Sequence, residues 1–203
     1  MPPERQPSIR VLLVDDHQAV RHGLAELLGK TEDIEVIGEA PNGAAAIRLA
    51  QRRHPDIILM DVVMPGNGGI AATRALHQRH PEIKIIALSL YAVMEYISSM
   101  LEAGVQGYLL KESVYTEVAA AIRVVHAGGL YIDRSLYAAI ARELLHLALH
   151  AHRNELQLFT AAETRVLEAL AEGKQPAEAA QSLEISVREV EKHIIAVIRK
   201  WLK

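Results

Sequence analysis

Five short aliphatic runs, IRVLLV, IEVIGEA, DIILM, IKIIALS and GYLL, recur along the first 110 residues, separated by stretches of helical spacing. Segments such as IIAL are apolar at every position, whereas a strand with one wet face alternates apolar with polar residues, so these strands must be covered on both sides. The covering elements are legible between them. Val20, Leu24, Leu27 and Leu28 fall on one helical stripe, and Ala44, Ile47 and Leu49 follow the same spacing. This alternation predicts a five-stranded parallel sheet, doubly wound with helices on both faces and right-handed crossovers, over residues 1–130.

Composition sets the outer limits. A chain of 203 residues, half of them apolar, supports one or two folded domains and is not disordered. Its net charge of -3 gives no global attraction for nucleic acid, so any such surface must be local. It contains no cysteine, which excludes disulfide frameworks and thiolate metal sites. The opening MPPERQPSIR has no apolar run before a small-residue cleavage site, and no later stretch has the length of a membrane span. A soluble cytoplasmic protein with no membrane partner is expected.

In an open parallel sheet, side chains just beyond the carboxyl ends of neighbouring strands converge in one crevice. Asp15 and Asp16 follow the first run, Asp61 ends the third, Ser89 ends the fourth and Lys111 follows the fifth. Carboxylates brought together repel, and oxygen-only donors suit a hard cation such as Mg²⁺. An ammonium and a hydroxyl beside them match the remaining oxygens of a phosphoryl group.

With those residues in view, VLLVDDH, DVVMPGNGG, ALS and GYLLK resemble the receiver domain of two-component response regulators, a flavodoxin-like fold. The resemblance implies that Asp61 is the phosphoacceptor of a partner histidine kinase and that Asp15, Asp16 and Asp61 hold Mg²⁺. It further implies that Ser89 and Lys111 contact the phosphoryl group, and that Tyr108 is an aromatic switch turning inward once that group is in place. Gly66, Gly68 and Gly69 either soften the loop after Asp61 or serve its turn geometry.

RSLYAAIARELLHLALHAHRNELQLF, which lacks Gly and Pro, reads as a helical linker over 131–155. Its His146 and His150 are one turn apart, a chelating spacing. Without an adjacent carboxylate, they and His152 read as a solvated face. From 156 onward the pattern is all-helical: Thr160 and Glu163 form a capping box, and Gly173 ends that helix.

FTAAETRVLEALAEG, AAQSLEIS and the spacing VEKHI resemble the helix-turn-helix output domain of the NarL/LuxR class, without its last, dimerising helix. The resemblance places Val166, Leu167, Leu170, Ala180, Leu183, Ile185, Val190 and Ile194 in the core. Arg188, Lys192 and His193 are the candidate DNA contacts. Pro176, Glu189 and Glu191 depart from the family pattern, and seven basic residues from Leu156 to Lys203 are matched by seven acidic ones. DNA-binding modules need a basic footprint.

Two functions therefore stay open. One is a phosphorylation-controlled, dimeric regulator of transcription acting on promoter DNA. The other is a receiver whose degenerate output domain signals through protein contacts, for example with another regulator. No second catalytic constellation points to an enzyme.

Overall fold

A computed structural model describes residues 8–150 and 159–201. His152, and the side chains of Asn67 and His150, lie outside the described set. The chain divides into two compact units, Met1–Tyr131 and Ile132–Lys203.

The first unit alternates strand and helix: β1 (Ile9–Val14), α1 (Gln18–Leu28), β2 (Ile34–Ala40), α2 (Gly43–Arg53), β3 (Ile57–Asp61), α3 (Gly68–Arg79), β4 (Lys84–Ser89), α4 (Met94–Glu102), β5 (Gly107–Leu110) and α5 (Val114–His126). The sheet order is β2-β1-β3-β4-β5-β6. The sixth strand, β6 (Tyr131–Ile132), was not expected; two residues are too few to leave a periodic signal. As the unbroken apolar runs require, β3 and β5 are buried throughout. Val11, Leu13, Ile57, Leu59, Ile86 and Leu109 pack with Leu24 and Leu28 of α1 and Val118, Ile122 and Val125 of α5. The alternate positions Leu12, Ile58, Met60 and Ala87 are fully buried as well.

Because β2 and β3 flank β1 on opposite sides, the chain reverses its winding at the carboxyl end of β1, where a crevice opens. Register aligns its walls. Val14 pairs with Met60, Met60 with Ala87 and Ala87 with Tyr108, so Asp15 and Asp61 emerge at one level.

The loop after Asp61 is shaped by close approach rather than softness. Gly66 takes φ +71°, which favours glycine, and a Cβ on Gly69 would lie 2.1 Å from the Asp61 carbonyl oxygen. The start of α3 is thereby pressed against the end of β3.

The second unit contains α6 (Tyr137–His150), α7 (Ala161–Ala171), α8 (Pro176–Leu183) and α9 (Val187–Trp201). Of the stretch read as a linker, Tyr137–His150 is helical, but it packs on α7 within this unit, and Arg142 donates to the Ala171 carbonyl at 3.1 Å. Its buried stripe of Ile140, Ala141 and Leu144 needs a partner, which a free linker would lack. Thr160 and Glu163 form both bonds of the expected capping box. Pro176 stands at the first position of α8, where its missing N–H costs no helical bond. Val166, Leu167, Leu170, Ala180, Val190 and Ile194 are buried as expected, while Leu183 and Ile185 are only partly so.

Candidate functional site

The crevice brings together all three strand-end carboxylates and the lysine. Asp15 and Asp61 are buried, at 1% and 3% exposure. Lys111 Nζ lies 2.5 Å from Asp15 Oδ2 and 3.0 Å from Asp61 Oδ2. The remaining oxygens of these two carboxylates accept backbone N–H groups, from His17 at 2.8 Å and Val63 at 3.3 Å. Burial pushes the Asp61 carboxyl above the usual carboxylate range, and Lys111 only partly pulls it back. For Lys111, burial works to lower its pKa, but the two carboxylates outweigh it and hold the ammonium above its ordinary value.

One ammonium among three carboxylates leaves an excess of buried negative charge, which a divalent cation would offset. Asp16 Oδ1 is buried and, among the described residues, accepts no hydrogen bond. The Nδ1 of His17 is 2.9 Å from it but is not aligned to donate. Donor atoms of Asp15, Asp16, His17 and Asp61 all lie within 4.8 Å of one another. The residues present thus fit a divalent ion, with Asp15, Asp16 and Asp61 as its oxygen donors. His17 was not singled out from the sequence, although it follows the Asp pair directly.

Ser89 and Tyr108 are both fully buried beside the crevice. The Ser89 hydroxyl, fully buried, donates to the Tyr91 carbonyl at 3.0 Å and accepts from its N–H at 3.1 Å, so it is committed to its own loop. Tyr108 is already inward and fully buried. The small Ala87 opposite it on β4 leaves room for the ring. Among the described residues its hydroxyl makes no aligned hydrogen bond, and burial, only partly offset by the nearby Ser89 hydroxyl, pushes the phenol up to about 12.

In the second unit, both glutamates that seemed misplaced on α9 have internal roles. Glu189 closes a capping box, accepting the Ser186 backbone N–H and hydroxyl at 2.8 Å each, while its own N–H donates back to Ser186 Oγ at 3.2 Å. Those bonds hold its carboxyl below the usual range. Glu191 pairs with Arg134 at 2.8 Å.

Equal totals of charge also hide segregation. Val190, Ile194, Val197 and Ile198 face the core. At about 100° per residue, Arg188, Lys192 and Arg199 lie on the opposite side, with Glu189 and Glu191 on its two flanks. All three cationic residues are exposed. His193, by contrast, is half-buried and lines a small pocket with Ala162, Arg165 and Ile185.

Sheet order, switch-point crevice and acidic pocket with its lysine define a receiver domain joined to a small helical unit. The response regulator receiver domain family matches residues 11–123. The transcriptional regulatory protein LiaR of Bacillus subtilis is 40% identical over 194 residues, covering 95% of this chain and 90% of that protein. A LuxR-family two-component response regulator from Aurantimonas sp. SI85-9A1 superposes with a TM-score of 0.65 at 33% identity, over 68% of this chain and 99% of that one. RcsB of Salmonella typhimurium shares the fold over 96% of this chain and 92% of its own, with a TM-score of 0.63 at 22% identity. The chain belongs to the LuxR/NarL family of two-component response regulators. Among its described residues no helix is long and apolar enough to cross a membrane.

Proposed function

We propose that Asp61 accepts a phosphoryl group from a sensor histidine kinase and that this controls binding of promoter DNA by the second unit. The observation that carries the first half is the pocket itself, a buried carboxylate held beside Lys111 and two further aspartates. An Asp61 oxygen attacks phosphorus as the bond from phosphorus to the donor imidazole nitrogen breaks, and no general base is needed because a carboxylate nucleophile carries no proton to be removed. Lys111, held above its ordinary pKa, stays cationic and meets the charge on the phosphoryl oxygens. A bound Mg²⁺ supplies charge neutralisation on those oxygens. Ser89 reaches the phosphoryl group by giving up its bond to Tyr91, so binding there competes with a contact that fixes the loop after β4. This exchange of Ser89 partners is a change that separates the two states, beside the inward Tyr108 ring.

For the second half, the carboxylate-free outward face of α9 supports DNA as the partner. Arg188, Lys192 and Arg199 are spaced to meet phosphates, and each neutralised phosphate releases counterions. The relation to LiaR, a transcriptional regulatory protein, favours the same reading over protein contacts alone. Binding of duplex DNA by the phosphorylated and unphosphorylated full chain, titrated with salt, tests it. Affinity that rises on phosphorylation and falls steeply with salt is expected; salt-independent association, or none in either form, rejects it.

A further inference from the structure

We propose that His17 is a ligand of the cation site, making it a mixed carboxylate–imidazole centre that takes a borderline divalent ion such as Co²⁺ in preference to Mg²⁺. This rests on the reading that Asp15, Asp16 and Asp61 hold a divalent cation.

Three observations carry it. First, His17 Nδ1 stands 2.9 Å from Asp16 Oδ1 and 3.4 Å from Asp15 Oδ1. Neighbouring ligands of an ion with bonds of about 2.1 Å are about 3 Å apart, and opposite ones about 4.2 Å apart. All four donors lie within 4.8 Å of one another, so a small contraction brings them into that range. Second, the ring nitrogen closest to the carboxylates makes no aligned hydrogen bond to Asp16, so no such bond has to be given up for it to take an ion. Third, the backbone N–H of His17 is bound to Asp15 Oδ1 at 2.8 Å, so the residue is fixed to the cluster by its main chain before any ion arrives. Imidazole nitrogen favours transition ions over Mg²⁺, which prefers oxygen and retains its waters. The selectivity of the pocket thus turns on one side chain, while the oxygen donors still accept Mg²⁺.

The test uses the full chain and His17→Asn, a substitution compatible with the cap position His17 occupies before α1. Electron paramagnetic resonance of bound Mn²⁺ should show coupling to a directly bonded nitrogen in the wild type. That coupling should be absent in His17→Asn and in the double variant Asp15→Asn, Asp16→Asn. Calorimetry should show Co²⁺ affinity falling roughly tenfold in His17→Asn, with Mg²⁺ affinity changed less than about twofold. Absence of nitrogen coupling in the wild type, its persistence in the double variant, or equal losses for Co²⁺ and Mg²⁺ overturns the assignment to His17. Failure of the wild type to bind Mg²⁺ at all overturns the carboxylate site beneath it.

Discussion

Lys200 of α9 reaches the buried carboxylate of Glu163 on α7, with Nζ 2.6 Å from Oε2. The same oxygen accepts the Thr160 backbone N–H at 2.7 Å, so one carboxylate both caps α7 and ties it to α9. Burial works to raise the Glu163 pKa, but Lys200 and Thr160 outweigh it and hold the group below its usual value. A carboxylate with a depressed folded pKa adds stability that is full above its unfolded pKa, near 4.3, and disappears as pH falls through the folded value. Unfolding followed by fluorescence of Trp201, the only tryptophan, should show the second unit weakening below about pH 4.5. Glu163→Gln should flatten that dependence, and Glu163→Ala should cost about 1 to 2 kcal/mol at pH 7. An unchanged pH profile in the Gln variant contradicts the role of the pair.

The excess of carboxylate in the crevice predicts a gain on removing one. Asp61→Asn leaves Lys111 paired with Asp15 and relieves a buried charge whose pKa is raised. Denaturation in chelator at pH 7 should show the variant more stable by about 1 kcal/mol, with the gain lost when Mg²⁺ is added, since the ion stabilises the wild type through its own binding. For the wild type in chelator, a raised Asp61 pKa means the folded state holds the proton more tightly. Its contribution therefore grows as pH falls from the raised value toward the ordinary one near 3.9. A less stable Asp61→Asn in chelator runs against this electrostatic picture.

Gly69 should be intolerant of any side chain. The added Cβ would meet the carbonyl oxygens of Asp61 and Val62 at 2.1 and 2.6 Å, both backbone atoms that cannot step aside. Gly69→Ala should lower stability by about 1 to 3 kcal/mol. By displacing Asp61 it should also slow phosphorylation. Urea denaturation and labelling rate measure the two effects, and a variant matching the wild type in both removes the close approach as a constraint.

On α9, charge and capping separate cleanly. Arg188→Ala, Lys192→Ala and Arg199→Ala should each weaken DNA binding and reduce the salt slope by about 1, with little effect on stability. Glu189→Ala should do the opposite, lowering stability through loss of the cap without weakening DNA binding. Equal losses of affinity across all four variants would place the carboxylate in the interface rather than in the helix start.

The parallel sheet, its two covered faces and the strand-end aspartates were legible because each leaves a local mark: an unbroken apolar run, or an acidic residue directly after it. Asp15 and Asp61 could be placed in one crevice from strand order alone. What escaped depends on contacts across the chain. Counting charges missed that Glu189 caps its own helix, although the Ser186–Glu189 spacing carries the same signal that was read at Thr160 and Glu163. The pairing of Glu191 with Arg134 has no sequence signature, being an encounter between distant segments. Likewise a stretch of Ala and Leu gives a helix, but only packing on α7 makes α6 part of the second unit. The inward Tyr108 and the Ser89–Tyr91 bond are conformational states, and both are chosen by packing rather than by spacing.

The most direct measurement is intact mass of the full chain after incubation with a small phosphodonor, in Mg²⁺ and in chelator, for the wild type and Asp61→Asn. One phosphoryl group on the wild type in Mg²⁺, with little in chelator and none on Asp61→Asn, is the expected result. Equal labelling of Asp61→Asn, or full labelling of the wild type without a divalent ion, would contradict the assignment of Asp61 and of the pocket around it.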